Sequence, residues 1–597
     1  MSEYRAPIEE ISFALETMGQ MKDWMSVPGF EEAGEDLVAA VLEEAGKLAG
    51  EVIAPTNRVG DEIGARWDNG EVVSPEAFKP MHQAFVEGGW TTLSADPVLG
   101  GQGLPNALST AVTEMVTSAN MAYSLLPLLS AGAIEAIAAH GSEEQHRKYL
   151  EKMVSGEWSG AMNLTEPGAG SDVGALRAKA EKQADGSYLV TGQKIFITWG
   201  EHDLSDNIIH LVLARLPDAP AGTKGISMFL VPKVMVKDDG SLGGRNDVRC
   251  VSIEHKLGIH ASPTCVMSFG DEGRCVGYIV GEENRGMRNM FTMMNHARVG
   301  VGLEGVAVAE RAYQQSVAYA TDRVQSAAIG ARTRESVPII NHPDVRRMLL
   351  TMRATTEAAR AIVYRNVWAL DRSHKASDKD ERRAAQGEAD LLTPISKAYS
   401  TDIGVEAASL GVQIHGGMGF IEETGAAQHY RDSRIAPIYE GTNGIQALDL
   451  VGRKLNTDGG EHWKALIAEM QTFTVGLDRA MAGSQATLQA GIDALSEAAE
   501  TLFANGFERI TDTAGAATPY LRLFGTVLGA YLLARQAMEA ERRLAADEGN
   551  PAFLRAKITT AKFYIEQILP QATALLEPVK AGAGRLMEMD NDDFART

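Results

Sequence analysis

A change of period constrains this chain more than any other feature. From Ile8 to about Ser155 the apolar residues recur at helical spacing. Ile8, Ile11, Leu15 and Met18 predict one buried face, and Leu37, Val41, Ala45 and Leu48 another. At about Gly156 the period shortens. Residues 187–191, 194–198, 208–214, 226–232 and 264–269 read as strands separated by Gly-containing turns. Helical spacing returns at about Met287 and persists to Lys454. Two irregular stretches interrupt it, 411–420 (GVQIHGGMGF) and 431–444 (RDSRIAPIYEGTNG). A break at 456–460 precedes a further helical block whose Ala-rich segments, 488–502 and 523–544, predict a bundle. The expected fold is α+β and mostly α. Its domains are a helical one over 1–157, an antiparallel β-domain over 158–282, a helical bundle over 283–455 and a helical extension over 456–597.

Charge and cysteine usage narrow the function classes. Lys and Arg number 56 against 79 Asp and Glu, a formal charge of -23. Such a surface repels phosphate backbones, so no nucleic-acid partner is expected. Cys250, Cys265 and Cys275 are odd in number and form no CxxC pair, which argues against a disulfide framework or a structural zinc; no metal site is expected. The first ten residues carry Glu3, Glu9 and Glu10 and lack the apolar core of a signal peptide. The most apolar stretch, 124–139, contains Pro127 and Glu135 and reads as too short to span a bilayer, so no membrane association and a cytoplasmic location are expected. The charge run 371–383 reads as a solvated loop or helix end.

Four stretches carry candidate chemistry. Residues 163–172, NLTEPGAGSD, make a glycine-rich turn that lets backbone N–H groups approach a ligand; the same pattern also serves as a plain structural turn. Residues 194–200, KIFITWG, place aromatic and hydroxyl side chains at a strand end, where they flank a flat ring or fill a core. In 411–420, Gly416 and Gly417 allow close approach to a phosphate, with Gln413 and His415 beside them. In 439–446, YEGTNGIQ, Glu440 follows the apolar run Ile435-Ala436-Pro437-Ile438. A carboxyl buried in such company has a raised pKa and suits proton abstraction, whereas a solvated Glu does not.

In order and spacing, these stretches resemble the acyl-CoA dehydrogenase family from about residue 30 to 455. The resemblance implies FAD held between the β-domain and the following helices, with a neighbouring subunit completing the flavin site. It implies Glu440 as the catalytic base. It implies flavin contacts from Met162, Leu164, Thr165, Gly170, Ser171, Phe196, Thr198, Thr442 and Gln446. Arg323, Gln413, Gly416 and Gly417 match segments that reach a neighbour's flavin. Ser171, Asn295, Arg298 and Gly441 match substrate-side positions. An acyl-CoA thioester is the implied substrate and an electron-transfer flavoprotein the implied acceptor.

The chain departs from the family pattern in two places. After Arg323-Val324-Gln325 the usual Phe-Gly is missing and an inserted segment precedes His342-Pro343. The extension after about residue 455 is absent from shorter members, and longer members are often dimers. Tyr4-Arg5-Ala6-Pro7, Asp322-Arg323-Val324-Gln325 and His342-Pro343-Asp344-Val345-Arg346-Arg347 resemble a branch that acts on 3-methylmercaptopropionyl-CoA. Other readings stay open: a dehydrogenase of short or medium straight-chain thioesters, an acyl-CoA oxidase, and a DNA-binding flavoprotein relative. The last needs a basic extension, and this one ends in an acidic run at 588–593.

Overall fold

The structure, a computed structural model, describes residues 4–477, 481–506 and 508–595. Helices α1 (Ile8–Thr17), α2 (Glu35–Lys47), α3 (Asn106–Ala119) and α4 (Met121–His140) build the first layer. On α1, Ile11 and Leu15 are buried as expected, as is Met18 just past its end, and Ile8 is half-buried. On α2 the buried face is Val38, Leu42 and Ala45, and Leu37 is exposed. Apolar residues stand at both 37 and 38, so spacing alone does not choose between adjacent faces. The apolar stretch at 124–139 belongs to a helix of 20 residues, long enough by length to cross a membrane. It is longer than expected because the Asn120 side chain caps its start by accepting from the Tyr123 N–H at 3.1 Å. In the fold it packs on the long helix of the bundle and on the first strand of the sheet.

Eight strands form the central sheet: β1 (Trp158–Asn163), β2 (Lys179–Lys182), β3 (Tyr188–Thr198), β4 (Asn207–Arg215), β5 (Ile226–Pro232), β6 (Val248–Ile253), β7 (Thr264–Phe269) and β8 (Val276–Ile279). Their order is β6-β7-β3-β8-β5-β4-β1, with β2 beside β3. The segments read separately at 187–191 and 194–198 are one strand, because Gly192 stays paired opposite Phe269. The sheet is antiparallel except where β1 runs parallel to β4 and β2 meets the end of β4. The chain reaches β4 from β1 by a crossover through β2 and β3, which permits the parallel pairing.

Helices α5 (Gly286–Asp322), α6 (Pro343–Lys375), α7 (Lys379–His415) and α8 (Asn443–Gly452) follow. The irregularity expected at 411 begins only at Gly416, which stops α7 with a φ of 60°. Gly411 lies inside the helix, packed toward Ser316 and Ala312, so it serves close approach rather than a turn. Nor is the charge run at 371–383 wholly solvated. Asp371 is 1% exposed and accepts from the Asn106 and Ala107 N–H groups at 3.0 Å, capping α3. The inserted segment after Ser326 folds back as a short ribbon through a Val324–Pro338 bridge.

The extension contains α9 (Glu461–Val475), α10 (Gln485–Asn505), α11 (Ile510–Ala545) and α12 (Pro551–Phe563). Left-handed Asp458, Gly459 and Gly460 make the break before α9. Helix α11 lies on α6, α7 and α8. A buried charge network fastens the extension. Lys557 bonds Glu10 and Glu357 at 2.7 Å each, and Arg360 bonds Glu114 at 2.8 Å and Glu310 at 2.9 Å.

Candidate active site

The predicted flavin segments meet on the β-domain. The Ile195 N–H donates to the Thr165 carbonyl at 2.9 Å, so the turn after β1 is laced to β3. Beneath it lies a buried pair that sequence reasoning missed. Lys194, wholly buried, donates to Glu166 Oε1 at 2.8 Å and to the Leu164 carbonyl at 2.9 Å. The other Glu166 oxygen takes the Arg177 N–H at 2.6 Å. Each partner lies in a conspicuous motif, but nothing local says that they face each other.

Above this pair β3 bulges. Ile195 and Phe196 together oppose one residue of β7, and Phe196 adopts a φ of 58°. The bulge turns the Phe196 ring outward, 59% exposed, and leaves Thr198 half-buried at the strand end. Gly170 and Ser171 are exposed, Met162 and Thr165 are half-buried, and Leu164 is buried at the edge. A side chain added at Gly168 or Gly170 would meet nothing within 4 Å. Open backbone, a hydroxyl pair and an outward aromatic suit a flat, hydrogen-bonding ring.

The base candidate stands on the loop between the short helix Ala426–Ser433 and α8. Glu440 has a φ of 55°, followed by Gly441 at 83°. A left-handed non-glycine residue costs on the order of 1–3 kcal/mol and persists only where its surroundings hold it. Several groups do so here. Gln446, wholly buried, turns its amide back to the Glu440 and Gly441 carbonyls, at 3.4 Å each. Thr442 Oγ caps α8 by accepting from Ile445 N–H at 3.2 Å. The structure thus gives these two expected flavin contacts work within the loop. Asn443 ties the loop to α7, donating to Asp402 at 2.7 Å and accepting from Lys397 at 2.8 Å.

Helices α5 and α7 touch backbone to backbone at Gly302, Gly305 and Gly404, where an added methyl would collide with the facing chain. This close crossing brings Glu304 and Lys397, both buried, to the underside of the loop. Arg298, 6% exposed, lies there too, beside Gly441, and its Nε has no hydrogen-bond partner. Asn295 is exposed on the same helix. Burial pushes the half-buried Glu440 carboxyl up to about 7, while Arg298 and Lys397 pull it down. Burial also pushes Glu304 up to about 8 and Lys397 down to about 8. Among the described residues none of these four groups makes an ion pair within 4 Å. Glu304, Lys397, Tyr439 and Asn443 escaped sequence reasoning; Tyr439 and Asn443 at least flank the Glu440 motif.

Arg323, Gln413, Gly416 and Gly417 lie elsewhere. Helices α5 and α7 run parallel, and Tyr319 stacks on His415 at 4.4 Å near their far ends. Gln413 is about 24 Å along α7 from Lys397. All four residues are exposed, and side chains at Gly416 and Gly417 would meet nothing within 4 Å.

Comparison with known proteins covers nearly the whole chain. The acyl-CoA dehydrogenase N-terminal domain model matches residues 39–157, the middle domain 161–271 and the C-terminal domain 284–455. An acetyl-CoA dehydrogenase C-terminal-like model matches 466–590. The chain is 48% identical to 3-methylmercaptopropionyl-CoA dehydrogenase of Ruegeria pomeroyi over 580 residues, 96% of this chain and 97% of that protein. It is 35% identical to a butyryl-CoA dehydrogenase of Syntrophomonas wolfei, covering 99% of each. The fold matches an acyl-CoA dehydrogenase complexed with FAD from Bacillus anthracis with a TM-score of 0.75 at 21% identity, covering 99% of this chain and 93% of that one. This chain belongs to the acyl-CoA dehydrogenase family.

Proposed function

We propose that this chain dehydrogenates 3-methylmercaptopropionyl-CoA to methylthioacryloyl-CoA, with Glu440 as the base. The observation that carries the substrate is the 48% identity, along nearly the whole chain, to an enzyme named for that thioester. FAD, when bound, supplies the acceptor for the β-hydrogen as hydride. Thr165, Thr198, Gly170, Ser171 and Phe196 hold it against the β-domain, with Met162 and Leu164 at the edge. Glu440 removes the α-proton, and its own backbone N–H donates to the thioester carbonyl, stabilising the developing enolate. Arg298 and Lys397 oppose the burial that raises Glu440 and keep part of it ionised at neutral pH.

Arg323, Gln413, Gly416 and Gly417, remote from the base, serve the flavin of a second copy, so the working unit is a homodimer. The extension covers the outer face of α6, α7 and α8, which disfavours a tetramer. Electrons leave to an electron-transfer flavoprotein in the cytoplasm.

The test is a panel of acyl-CoA thioesters mixed anaerobically with the holoenzyme while flavin absorbance is followed. A thioether and a methylene are of similar size, so butyryl- and hexanoyl-CoA should react within about 10–200-fold of 3-methylmercaptopropionyl-CoA. A profile peaking at palmitoyl-CoA, with no reduction by the methylmercapto thioester, would sink the substrate assignment. Light scattering that gave a tetramer would sink the dimer.

A further inference from the structure

Glu304 sits in the middle of α5, 2% exposed, where the glycine crossing presses α5 against α7. The Tyr439 hydroxyl donates to Glu304 Oε2. The other oxygen, Oε1, is buried with no hydrogen-bond partner. The nearby ammonium of Lys397 donates to Asn443 and not to Glu304, the Thr401 hydroxyl and Asn443 amide bond one another, and Arg298 points at the loop. A buried carboxyl without a cation in hydrogen-bond contact is far more stable with its proton on.

Tyr439 immediately precedes the strained Glu440. Its N–H donates to the Ile435 carbonyl at 3.2 Å, and its ring reaches down to Glu304. Burial and the neighbouring carboxyls keep the phenol protonated, so Tyr439 is the donor. The loop is therefore pinned directly before the base by one side-chain hydrogen bond to α5.

We propose that Glu304 is a positioning residue of this active site: held as a neutral acid, it accepts the Tyr439 hydroxyl, fixes the peptide that carries Glu440, and leaves Glu440 the carboxylate that takes the proton. The inference rests on the dehydrogenase reading above. The ionisable groups facing Glu304 are Tyr439 and Glu440 from the loop and Lys397 from α7; Asp402 lies beyond Lys397, and Arg298 shares its helix. Burial, the largest influence, favours the protonated form of Glu304; the Tyr439 hydrogen bond and then Lys397 oppose it, and a smaller repulsion from Glu440 adds to it, with burial prevailing.

The experiment compares the wild-type holoenzyme with Glu304→Leu, Glu304→Gln and Tyr439→Phe, using butyryl-CoA as the reductant under anaerobic conditions. Glu304→Leu and Tyr439→Phe should lower the limiting rate of flavin reduction by roughly 10- to 100-fold, with FAD content and affinity for crotonyl-CoA retained. Glu304→Gln, neutral and still an acceptor, should restore the rate to within about 3-fold, with the acid limb of the rate–pH profile where wild type has it. A Gln variant as slow as the Leu variant would overturn the proposal. So would a Gln variant whose acid limb falls by about one pH unit, because Glu304 would then be charged in the working enzyme. Wild-type rates in both Glu304→Leu and Tyr439→Phe would overturn it too. A wild-type enzyme that no acyl-CoA reduces would overturn the dehydrogenase reading as well, which keeps the two failures distinct.

Discussion

Glu310 and Glu304 stand roughly two turns apart on helix α5, yet they belong to opposite kinds of buried charge. Around Glu310 every acid has a cation: Arg360 bridges Glu310 and Glu114, and Lys557 bridges Glu10 and Glu357, which also takes Arg353 at 2.7 Å. Around Glu304 acids and bases are again buried together, Glu304 and Glu440 with Lys397 and Arg298, but hydrogen bonds to neutral groups replace the ion pairs. The first arrangement spends its electrostatic energy on holding helices together. The second withholds it: burial acts on carboxyls with no cation in contact and pushes Glu440 up to about 7 and Glu304 up to about 8, the range that proton transfer needs.

The sharpest way to break this contrast is Glu440→Gln. It should bind FAD and thioester normally yet slow flavin reduction by at least about 10³-fold, about 4 kcal/mol in barrier, read by rapid mixing. Retained turnover would remove Glu440 from its role. Lys557→Met probes the other cluster. It leaves Glu10 and Glu357 buried without their shared cation and should cost about 3–5 kcal/mol of unfolding free energy by urea denaturation. The reduction rate of the folded enzyme should stay within about 2-fold.

Smaller and opposite in sign is the stability effect of Glu440→Gln. The folded protein raises this carboxyl from 4.5 to about 7, so it holds its proton more tightly than the unfolded chain does. The stability that this brings is complete below about pH 4.5 and is lost as pH rises through about 7. The Gln variant should therefore match wild type at pH 4 and exceed it by about 1–3 kcal/mol at pH 8. Equal stability at both pH values would mean that the base is not strained by burial. The mildest expectation concerns wild type alone: the rate of flavin reduction should climb through an inflection near pH 7, where Glu440 ionises. A flat profile from pH 5 to 9 would show that another group is the base.

What the sequence disclosed follows from distance along the chain. Glu440 and the segments around Thr165 and Thr198 were legible because each lies in a short contiguous motif whose glycines and aromatics are unusual together. The alternation of helical and strand blocks was legible for the same local reason. Glu304 was not, since a lone Glu in a helix reads as solvated until the α5–α7 crossing buries it. The Lys194–Glu166 pair joins two legible motifs, but only the folded sheet brings them face to face. The parallel β1–β4 pairing and the choice of Val38 over Leu37 depend on which neighbour arrives, and spacing within one element carries no record of that. Gln446 illustrates a subtler limit: its position was marked, but its amide turns inward to brace the loop.

Helix α1 reaches across the fold to the extension. Phe13 packs with Ala540 and Leu554, Glu10 bonds Lys557, and the Thr17 hydroxyl takes the Gln536 amide at 3.3 Å. Some 540 residues separate these partners in the chain. At roughly 5–20 residues per second of synthesis, α1 leaves the ribosome about 30–110 s before the surface that buries it exists. During that interval Phe13 and Glu10 lack their partners in the extension. A ribosome that stalls late therefore releases a product in which that side of α1 stays open to chaperones and proteases, and completed synthesis conceals that mark.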